Sequence, residues 1–551
     1  MVRNPYDSPL ALTRPQGDLM DADTQLKHAP ATTGSAPSAR GLKGGALGYM
    51  QSTAMGVAST APAYSLAATL GFVVAVVGLQ TPLIVLLAFV PMFFSSWANK
   101  EMNYADPDCG SSFIWAARAF GPKTGWFAGG WGTIAADLLG MASYAQIAGQ
   151  YVFLFLGLDA IGNNATSPWV LTVGILFLVV LTYMCYRGIQ VSARTQVVLV
   201  VIEVVMLVLL SVVALIRLAV GSAPAGHLAI SWTWFDPFHL QSASAFIAGM
   251  LLMVFVYWGW DTTVSVNEET KDSRRIPGNA GVISTLILLV VYALTTTSVQ
   301  AFAGIGTKGI GLSNPNHEGD VLSVLGTAVF GNSVLGTIFT RLLLLMVLSS
   351  AVGTTQTTIL PNARTTVSMA FHKALPAIFG RIHPRYLTPT FSTISFSVVS
   401  IIMYVILNYV SGGDIIGDAV TGCTFFVAVY LGITGFACTW FYRRVLLRSV
   451  RDFLIRGLMP LLSGIMLFGL LGWSVYFYCN PGNSDTTWLM PFAPHWRIGG
   501  VLSIGIVTAL AGLAWMLTET KIRPGFFRGE MESQVALTED GEVIQVGGVP
   551  G

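Results

Sequence analysis

Charged residues are scarce in this sequence. They make up only 10% of the 551 residues, whereas hydrophobic residues make up 53%. A soluble domain carries roughly a quarter charged residues, and a chain this apolar cannot hide its hydrophobic surface in one globular core. The composition therefore predicts an all-α polytopic membrane protein in contact with the lipid bilayer. The net charge of +2 gives no reason to expect a nucleic-acid partner.

Cysteines and catalytic motifs are also few. The five cysteines are scattered without a close-spaced pair, so neither a disulfide framework nor a metal site is expected; they are Cys109, Cys185, Cys423, Cys438 and Cys479. No metal-ligand cluster, nucleophile elbow or phosphate-binding glycine loop occurs in the sequence. We therefore expect no enzyme activity, no metal and no cofactor.

Long apolar runs dominate what is present. About twelve stretches are long enough to cross a bilayer, and they lie within a predicted transmembrane domain at residues 42–520. The predicted spans are 45–79, 82–99, 122–156, 168–186, 194–220, 243–269, 279–303, 333–358, 390–410, 416–441, 458–479 and 498–518. Residues 1–41 and 521–551 are polar and are expected to be disordered cytoplasmic tails. The amphipathic segments 105–120 and 362–375 are expected to lie along the cytoplasmic face without crossing.

Lysine and arginine predict the orientation. With these spans and both tails inside, the inner segments hold 25 of the 29 basic residues. An even number of spans fits this distribution, and an odd number would spoil it. We expect a multi-pass protein of the plasma membrane with both termini in the cytoplasm.

The first span contains a sequence that interrupts a helix. Proline at 62 removes a backbone donor and clashes with the preceding turn, but it suits the first position of a new helix. Two half-helices are therefore expected to meet near residues 58–62. Free N–H groups at Ala61, Ala63 and Tyr64 would form a positive helix end suited to a carboxylate. A simple proline kink is the alternative. The binding candidates here are Ala58, Ser59, Thr60, Ala61 and Tyr64.

The sixth span contains a second interruption, formed by Tyr257, Trp258, Gly259, Trp260 and Asp261. Broken backbone at membrane depth is tolerated only where it is buried in protein or lines a cavity. An ionisable residue there is a functional-site hypothesis by default. The aromatic rings could cover an ammonium or guanidinium group by cation–π contact. Interfacial anchoring or packing is the alternative role for them.

The two interruptions lie five helices apart. This spacing indicates an inverted repeat of five plus five helices, with broken helices 1 and 6 and two additional helices at the end. In such a repeat the substrate lies between the two breaks.

Three further stretches contain recognisable motifs: residues 268–277 (EETKDSRRIP), 362–376 (NARTTVSMAFHKALP) and 106–122 (DPDCGSSFIWAARAFGP). Together they resemble the amino acid–polyamine–organocation (APC) superfamily of permeases over about residues 42–520. The resemblance implies that Asp261 is a gate or a partner for a cation, because many relatives have glutamate there. The family usually has Gly-Ser-Gly at the first break. The bulkier Ala58–Pro62 leaves less room for the backbone of an amino acid.

Two more carboxylates are expected inside the membrane. Glu203 lies about 14 Å into a helix that starts near Arg194, at roughly 1.5 Å per residue. Several proton-coupled relatives carry a lysine in this region, aimed at the first break, so Glu203 is a candidate for proton coupling. A structural carboxylate paired with Arg341 is the alternative. Asp137 in the third span has substrate binding, proton coupling and a structural role open to it.

Sodium coupling would need oxygen ligands. Hydroxyl groups on helix 8 could supply them beside carbonyl groups of the first break; the candidates are Ser349, Ser350, Thr354 and Thr355. Small hydroxylated residues in membrane helices more often serve close packing.

The favoured function is a secondary active transporter. It would move a small-molecule substrate, an amino acid or a related amine, across the plasma membrane by alternating access, with the proton as the coupling ion. A polyamine or organic-cation permease or exchanger is the alternative within transport. A nutrient sensor that binds without transporting is a further alternative.

Overall fold

The computed structural model describes residues 38, 40–491, 494–531, 534–537 and 543–546. These residues belong to one compact unit. Most of the predicted amino-terminal tail and part of the carboxy-terminal tail therefore lie outside the described residues, and the predicted limits of the tails remain predictions.

The described residues form a bundle of α-helices. In chain order these are α1 (Tyr49–Ser59), α2 (Pro62–Val77), α3 (Thr81–Ala105), α4 (Ser112–Phe120), α5 (Pro122–Thr124), α6 (Gly132–Phe155), α7 (Asp159–Gly162), α8 (Pro168–Arg187), α9 (Ile189–Ala219), α10 (Ala243–Val256), α11 (Thr262–Ser265), α12 (Ile276–Ala303), α13 (Val321–Phe330), α14 (Val334–Phe371), α15 (Thr390–Tyr409), α16 (Ile415–Tyr442), α17 (Val450–Asp452), α18 (Met459–Tyr478), α19 (Gly500–Ile522) and α20 (Pro524–Phe527). Two π-helical segments, Gly125–Trp131 and Phe453–Leu458, lead into α6 and α18.

The strands among the described residues form two small hairpins. Strands β1 (Thr487–Leu489) and β2 (Arg497–Gly499) pair antiparallel, with Trp488 opposite Ile498. Strands β3 (Gln534–Leu537) and β4 (Val543–Val546) also pair antiparallel.

Proline marks the beginning of several long helices. Pro62, Pro82, Pro168, Pro277 and Pro460 each occupy the first turn of their helix. The first N–H groups of a helix have no partner within it, so the donor that proline lacks is not missed there, and its fixed φ angle already suits the helix. Proline at these positions therefore favours the start of a helix.

Ten stretches of the described chain are long and apolar enough to cross a membrane by length and composition. They are Tyr49–Ala105, Pro122–Phe155, Pro168–Arg187, Ala193–Ala219, Ile276–Ala303, Val334–Phe371, Thr390–Tyr409, Ile415–Tyr442, Val450–Tyr478 and Gly500–Ile522. The first holds three consecutive helices, α1 to α3, and the shorter α10 is apolar as well. A mostly helical polytopic membrane protein is thus confirmed, whereas the count of twelve spans and the five-plus-five repeat remain predictions.

Helix α14 corrects one expectation. Residues 362–375 were expected to lie along the membrane surface, but α14 runs without interruption to Phe371. Its polar residues are tolerated in the bundle because they have partners there. The Thr366 hydroxyl donates to the carbonyl of Asn362 at 2.9 Å, and Arg364 pairs with Glu269 at 2.8 Å. The other surface segment, 105–120, contains the short helix α4.

The contacts divide the loops between two opposite ends of the bundle. One end, called the basic face here, carries the loops around residues 38–47, 106–111, 267–275, 372–389 and 443–456. Arg40 bonds to Asp108 and Glu268 there, and Leu47 forms a backbone bridge with Thr270. The opposite face carries the loops around residues 220–242, 304–320 and 479–499, where Leu228 bonds to the carbonyl of Ala301.

Candidate functional site

The first helix is interrupted where the proline pattern predicts it. Helix α1 ends at Ser59 and α2 begins at Pro62. Between them Ala61 takes a left-handed conformation, with φ of 47°. A residue with a side chain pays roughly 1 kcal/mol or more for this conformation, whereas glycine does not. The break is therefore strained, and the packing around it must hold it in place.

The sixth predicted span is interrupted as well. Helix α10 ends at Val256, the chain turns, and α11 begins at Thr262. Gly259 has a φ of +122°, and a Cβ atom at this position would lie 2.5 Å from the carbonyl oxygen of Ser59. Both the conformation and the close approach require glycine. Gly259 thus brings the backbones of the two breaks into contact.

Side chains also join the two breaks to each other and to α14. The hydroxyl oxygens of Ser59 and Thr262 lie 2.7 Å apart, so one donates to the other. The Thr354 hydroxyl donates to the carbonyl of Ser59 at 2.9 Å. These three residues come from separate elements, so a movement of either break relative to α14 must break a hydrogen bond.

The expectation of free N–H groups at the start of α2 is wrong. The N–H of Ala61 donates to the carbonyl of Ala58 at 3.1 Å. The N–H of Ala63 donates to Oε1 of Glu203 at 2.7 Å, and the N–H of Tyr64 donates to the hydroxyl of Ser350 at 3.2 Å. The reason is packing: α9 and α14 lie against the end of α2 and supply acceptors of their own.

Glu203 therefore bonds to groups other than Arg341, which is the partner considered for it from the sequence. Besides the Ala63 N–H, its Oε1 accepts a hydrogen bond from the Ser350 hydroxyl at 2.5 Å, and its side chain is buried. The alternative pairing with Arg341 is wrong. Arg341 donates to the carbonyls of Leu154 and Phe155, at 2.6 and 2.8 Å.

A small cavity lies between the breaks. Its volume is about 10 Å³, the room of about one water molecule. It is lined by Ser59, Thr133, Asp137, Tyr144, Trp258, Gly259, Asp261, Thr262, Thr358, Pro361 and Tyr430. Two of these residues are carboxylic acids, and none of the described lining residues is basic. The arrangement can hold a positively charged group once the cavity opens.

The two carboxylates are held by polar neighbours. The Trp258 indole N–H donates to the hydroxyl of Tyr430 at 2.6 Å, and that hydroxyl donates to Oδ2 of Asp261 at 2.9 Å. On the other side Nδ2 of Asn362 donates to Oδ2 of Asp137. These bonds fix both acids at the cavity wall.

The sequence between residues 47 and 504 matches the family described as amino acid permease. The chain belongs to this family. Its transporters are multi-pass membrane proteins and not enzymes, as expected from the sequence.

Individual relatives of the permease are distant. It is 25% identical to an uncharacterized transporter of Mycobacterium tuberculosis, over 55% of this chain and 61% of that one. It is also 25% identical to the vacuolar cationic amino acid transporter 4 of Arabidopsis thaliana, over 56% and 49%. The low-affinity putrescine importer PlaP of Escherichia coli is 24% identical over 45% and 52%. The match spans only about half to three fifths of the length of these curated relatives.

Some predicted residues of the permease do not reach the cavity. Ser59, Trp258, Gly259, Asp261 and Asp137 line it. The side chains of Ala58, Thr60, Ala61, Tyr64, Tyr257, Trp260 and Glu203 are absent from its described lining. Tyr257 instead packs edge-on against Tyr292, with ring centroids 5.0 Å apart.

Sequence reasoning missed several lining residues, among them Thr133, Tyr144, Thr358 and Tyr430. Each is a hydroxylated residue within a long helix, and hydroxylated residues are common in these helices, so the residue type alone does not mark a site. Tyr430 lies 169 positions from Asp261, so only the fold brings the two together. The sequence marks these residues only by a hydroxyl group within a membrane span, which is a weak indication of a binding site.

The hydroxyl groups considered for sodium are all engaged. Ser349 donates to the carbonyl of Met346, and Thr355 donates to that of Ala351. Ser350 and Thr354 donate to Glu203 and to the carbonyl of Ser59. These bonds use the hydroxyl protons and leave oxygen lone pairs, so sodium coupling through these residues stays a prediction.

A larger cavity of about 400 Å³ lies on the side of the opposite face. We call it the vestibule; its wall includes Tyr64, Ser143, Asp418 and Asp485. The hydroxyl oxygens of Tyr64 and Ser143 lie 2.6 Å apart, and the ring of Tyr64 packs edge-on against Tyr144. Because Tyr144 lines the central cavity, this contact separates the vestibule from it. Asp418 is buried near the start of α16 and accepts hydrogen bonds from the backbone of Asp485 and Thr486.

A network of charged side chains closes the basic face. Arg40 donates to Asp108 at 2.5 Å and to Glu268 at 2.7 Å, and Nε2 of His372 lies 3.0 Å from Asp108. Burial alone would raise the pKa of Asp108, but the charge of Arg40 and the bond to His372 hold it well below its usual range. We call Arg40, Asp108, Glu268 and His372 the seal. Sequence reasoning placed Arg40 in a tail and missed it.

Cys109 lies beside the seal and contacts Arg40. A carboxylate oxygen of Asp108, the Cys109 thiol and a carboxylate oxygen of Glu268 lie within 4.8 Å of one another, close enough to hold a metal ion. The guanidinium of Arg40 bonds to all three groups, so the arginine itself is the cation between them.

Replacing Arg40 by glutamine is expected to loosen the seal. The change removes two charge-assisted hydrogen bonds, each worth about 1.5–3 kcal/mol, so the seal should open about ten times more often or more. Buried Cys109 reports the opening. Its rate of maleimide labelling in detergent solution, followed by mass spectrometry of the labelled peptide, should rise by the same factor. Arg187→Gln, at an exposed arginine that bonds to Tyr183, is the control. Equal labelling of Cys109 in all three proteins would contradict the role of Arg40.

Proposed function

We propose that this permease is a secondary active transporter that moves an amino acid or a related amine across the plasma membrane by alternating access. The observation that carries the proposal is the meeting of the two helix breaks at a small cavity whose lining includes two carboxylates. Discontinuous membrane helices of transporters form their substrate sites in this way. The vestibule and the seal lie on opposite sides of the cavity, as two gates would.

The proposed orientation puts the basic face in the cytoplasm. Short loops rich in lysine and arginine stay on the cytoplasmic side. In that orientation the vestibule faces outward and the seal closes the inner path.

Proton coupling is proposed to pass through Glu203 or Asp137. Glu203 accepts hydrogen bonds from Ala63 and Ser350 on the same oxygen. A proton on that carboxyl group would weaken both bonds and free the start of α2 to move. Asp137 lines the cavity itself, so its proton could exchange against a cationic substrate.

A permease for polyamines or other organic cations is the second candidate. Two carboxylates with no basic residue in the described lining favour a positively charged substrate. The similarity to a putrescine importer points the same way.

An uptake screen in proteoliposomes tests the proposal. Radiolabelled amino acids and amines are offered with a proton gradient, a sodium gradient or neither. Uptake of at least one compound above protein-free liposomes is expected, and the proton gradient should raise it. Binding of a compound without movement of any would replace the proposal by the nutrient sensor.

Replacing Glu203 by glutamine is expected to abolish the acceleration of uptake by a pH gradient. Uptake in the presence of the gradient should therefore fall by about tenfold or more. The amide cannot take up and release a proton, whereas it retains an acceptor oxygen for Ala63. Exchange of labelled against unlabelled substrate should persist, since exchange needs no net proton movement. Asp418→Asn, in the vestibule wall, is the matched control. Unchanged proton dependence in Glu203→Gln would remove Glu203 from the coupling mechanism.

A further inference from the structure

The start of α2 is the place in this bundle where a substrate carboxylate would bind. Helix amino termini attract anions because their first N–H groups are unpaired and the helix dipole is positive there. Helix α2 is 16 residues long, and its first N–H groups lie at the break. Helix α11 at the second break has only four residues and offers no comparable end.

Glu203 already occupies this place. Its Oε1 lies 2.7 Å from the Ala63 nitrogen, and its side chain is only 2% exposed. The next N–H, of Tyr64, is taken by the Ser350 hydroxyl, which itself bonds to Glu203. A substrate carboxylate would have to displace a buried carboxylate or lie beside it, and like charges at close range in a buried site repel strongly.

The cavity has the opposite preference. Asp137 is 7% exposed and receives a hydrogen bond from Asn362 at Oδ2, whereas Oδ1 has no hydrogen-bond partner among the described residues. Asp261 faces the same cavity, with the aromatic side chains of Trp258 and Tyr430 beside it. An unpaired carboxylate oxygen at the cavity wall suits an ammonium group, and aromatic rings in the same lining add to this preference.

The backbone adds to this preference. Both α1 and α10 end at the breaks, so each directs the negative end of its helix dipole toward them. The negative end of a helix favours cations.

We infer that the central site takes an organic amine with no carboxylate of its own, because Glu203 fills the carboxylate position and Asp137 and Asp261 hold the ammonium group. The inference rests on the proposed transport function and names the substrate class. It also gives a physical reason for the bulkier first break: the site has no amino acid backbone to accommodate.

Matched pairs of compounds test the inference on the unmodified permease. Each pair consists of an amino acid and the amine formed by removing its carboxyl group: ornithine and putrescine, lysine and cadaverine, histidine and histamine, tyrosine and tyramine. Uptake into proteoliposomes is measured for both members at equal concentration and pH. The amine of at least one pair should be taken up about tenfold faster or more, and no amino acid should exceed its amine.

The outcomes distinguish a failure of the inferred substrate class from a failure of the proposed transport function. Uptake of amino acids at rates equal to or above their amines would overturn the inference and leave the transport function standing. If neither member of any pair is taken up, and the wider screen finds no other transported compound, the result counts against the transport function itself.

A variant tests the role of Glu203 directly. Glu203→Ala vacates the carboxylate position, so binding of the amino acid of the best pair should rise by about tenfold or more relative to its amine. Glu203→Asp keeps the charge and should retain the preference for the amine. Binding is read from the ligand-induced shift in melting temperature, which does not require proton coupling. An unchanged ratio in folded Glu203→Ala would overturn the inference; if the variant does not fold, the matched pairs on the unmodified protein still decide.

Discussion

Replacing Arg364 by methionine is expected to destabilise the folded permease by about 3–5 kcal/mol. Arg364 and Glu269 form an ion pair in which neither side chain is exposed, with Nε to Oε2 at 2.8 Å and Nη2 to Oε1 at 3.1 Å. The substitution leaves the carboxylate of Glu269 buried without its counter-charge. The free-energy cost of that isolated charge is larger than the net stabilisation that the ion pair provided. The measurement is the melting temperature of the purified protein in detergent.

Two further variants identify the cause of the loss. In the double variant Arg364→Met with Glu269→Met both charges are gone, so most of the stability should return, since a buried pair replaced by apolar side chains is often neutral. The exposed arginine in Arg187→Met should cost no more than about 1 kcal/mol. If the single and double variants melt at the same low temperature, the isolated charge is not the cause.

Replacing Asp261 by asparagine is expected to weaken substrate binding about 10- to 100-fold. The change removes a charged acceptor facing the cavity, and a hydrogen bond to a charged group contributes about 1.5–3 kcal/mol, with about 1.4 kcal/mol for each factor of ten in affinity. Half-saturation of uptake and the ligand-induced melting shift should both report the loss. The fold should be retained, because asparagine has nearly the same shape.

The matched control for Asp261 is Tyr430→Phe. It removes the hydroxyl that donates to Asp261 at 2.9 Å but keeps the carboxylate and the aromatic face. Its affinity should fall by less than that of Asp261→Asn. If Asp261→Asn binds and transports like the unmodified protein, Asp261 is not part of the substrate site.

The helix breaks were predictable because they depend on local chemistry. Pro62 cannot continue a helix, and Gly259 takes a conformation that residues with side chains avoid. The positions of both breaks therefore follow from neighbouring residues. The membrane class follows in the same way from composition.

The partners of residues in the first break and in the seal were not predictable, because they depend on packing between distant parts of the chain. Ala63 and Glu203 are 140 residues apart, and Arg40 and His372 are 332 apart. A free helix end was the expectation from the residues next to Pro62, and Arg40 was placed in the predicted tail. The polar end of α14 was missed for the same reason: Arg364 is tolerated there only because Glu269 comes from another part of the chain.

The size of the central cavity has a consequence for how affinities should be interpreted. A space of about 10 Å³ holds no organic substrate, so only the molecules that have widened it at a given moment can bind. The apparent dissociation constant is the intrinsic one divided by that competent fraction. A substitution remote from the substrate, such as one that lengthens the lifetime of a widened cavity, would tighten apparent binding without adding a contact. The apparent affinity therefore depends on the fraction of molecules in which the cavity is widened, as well as on the residues that contact the substrate.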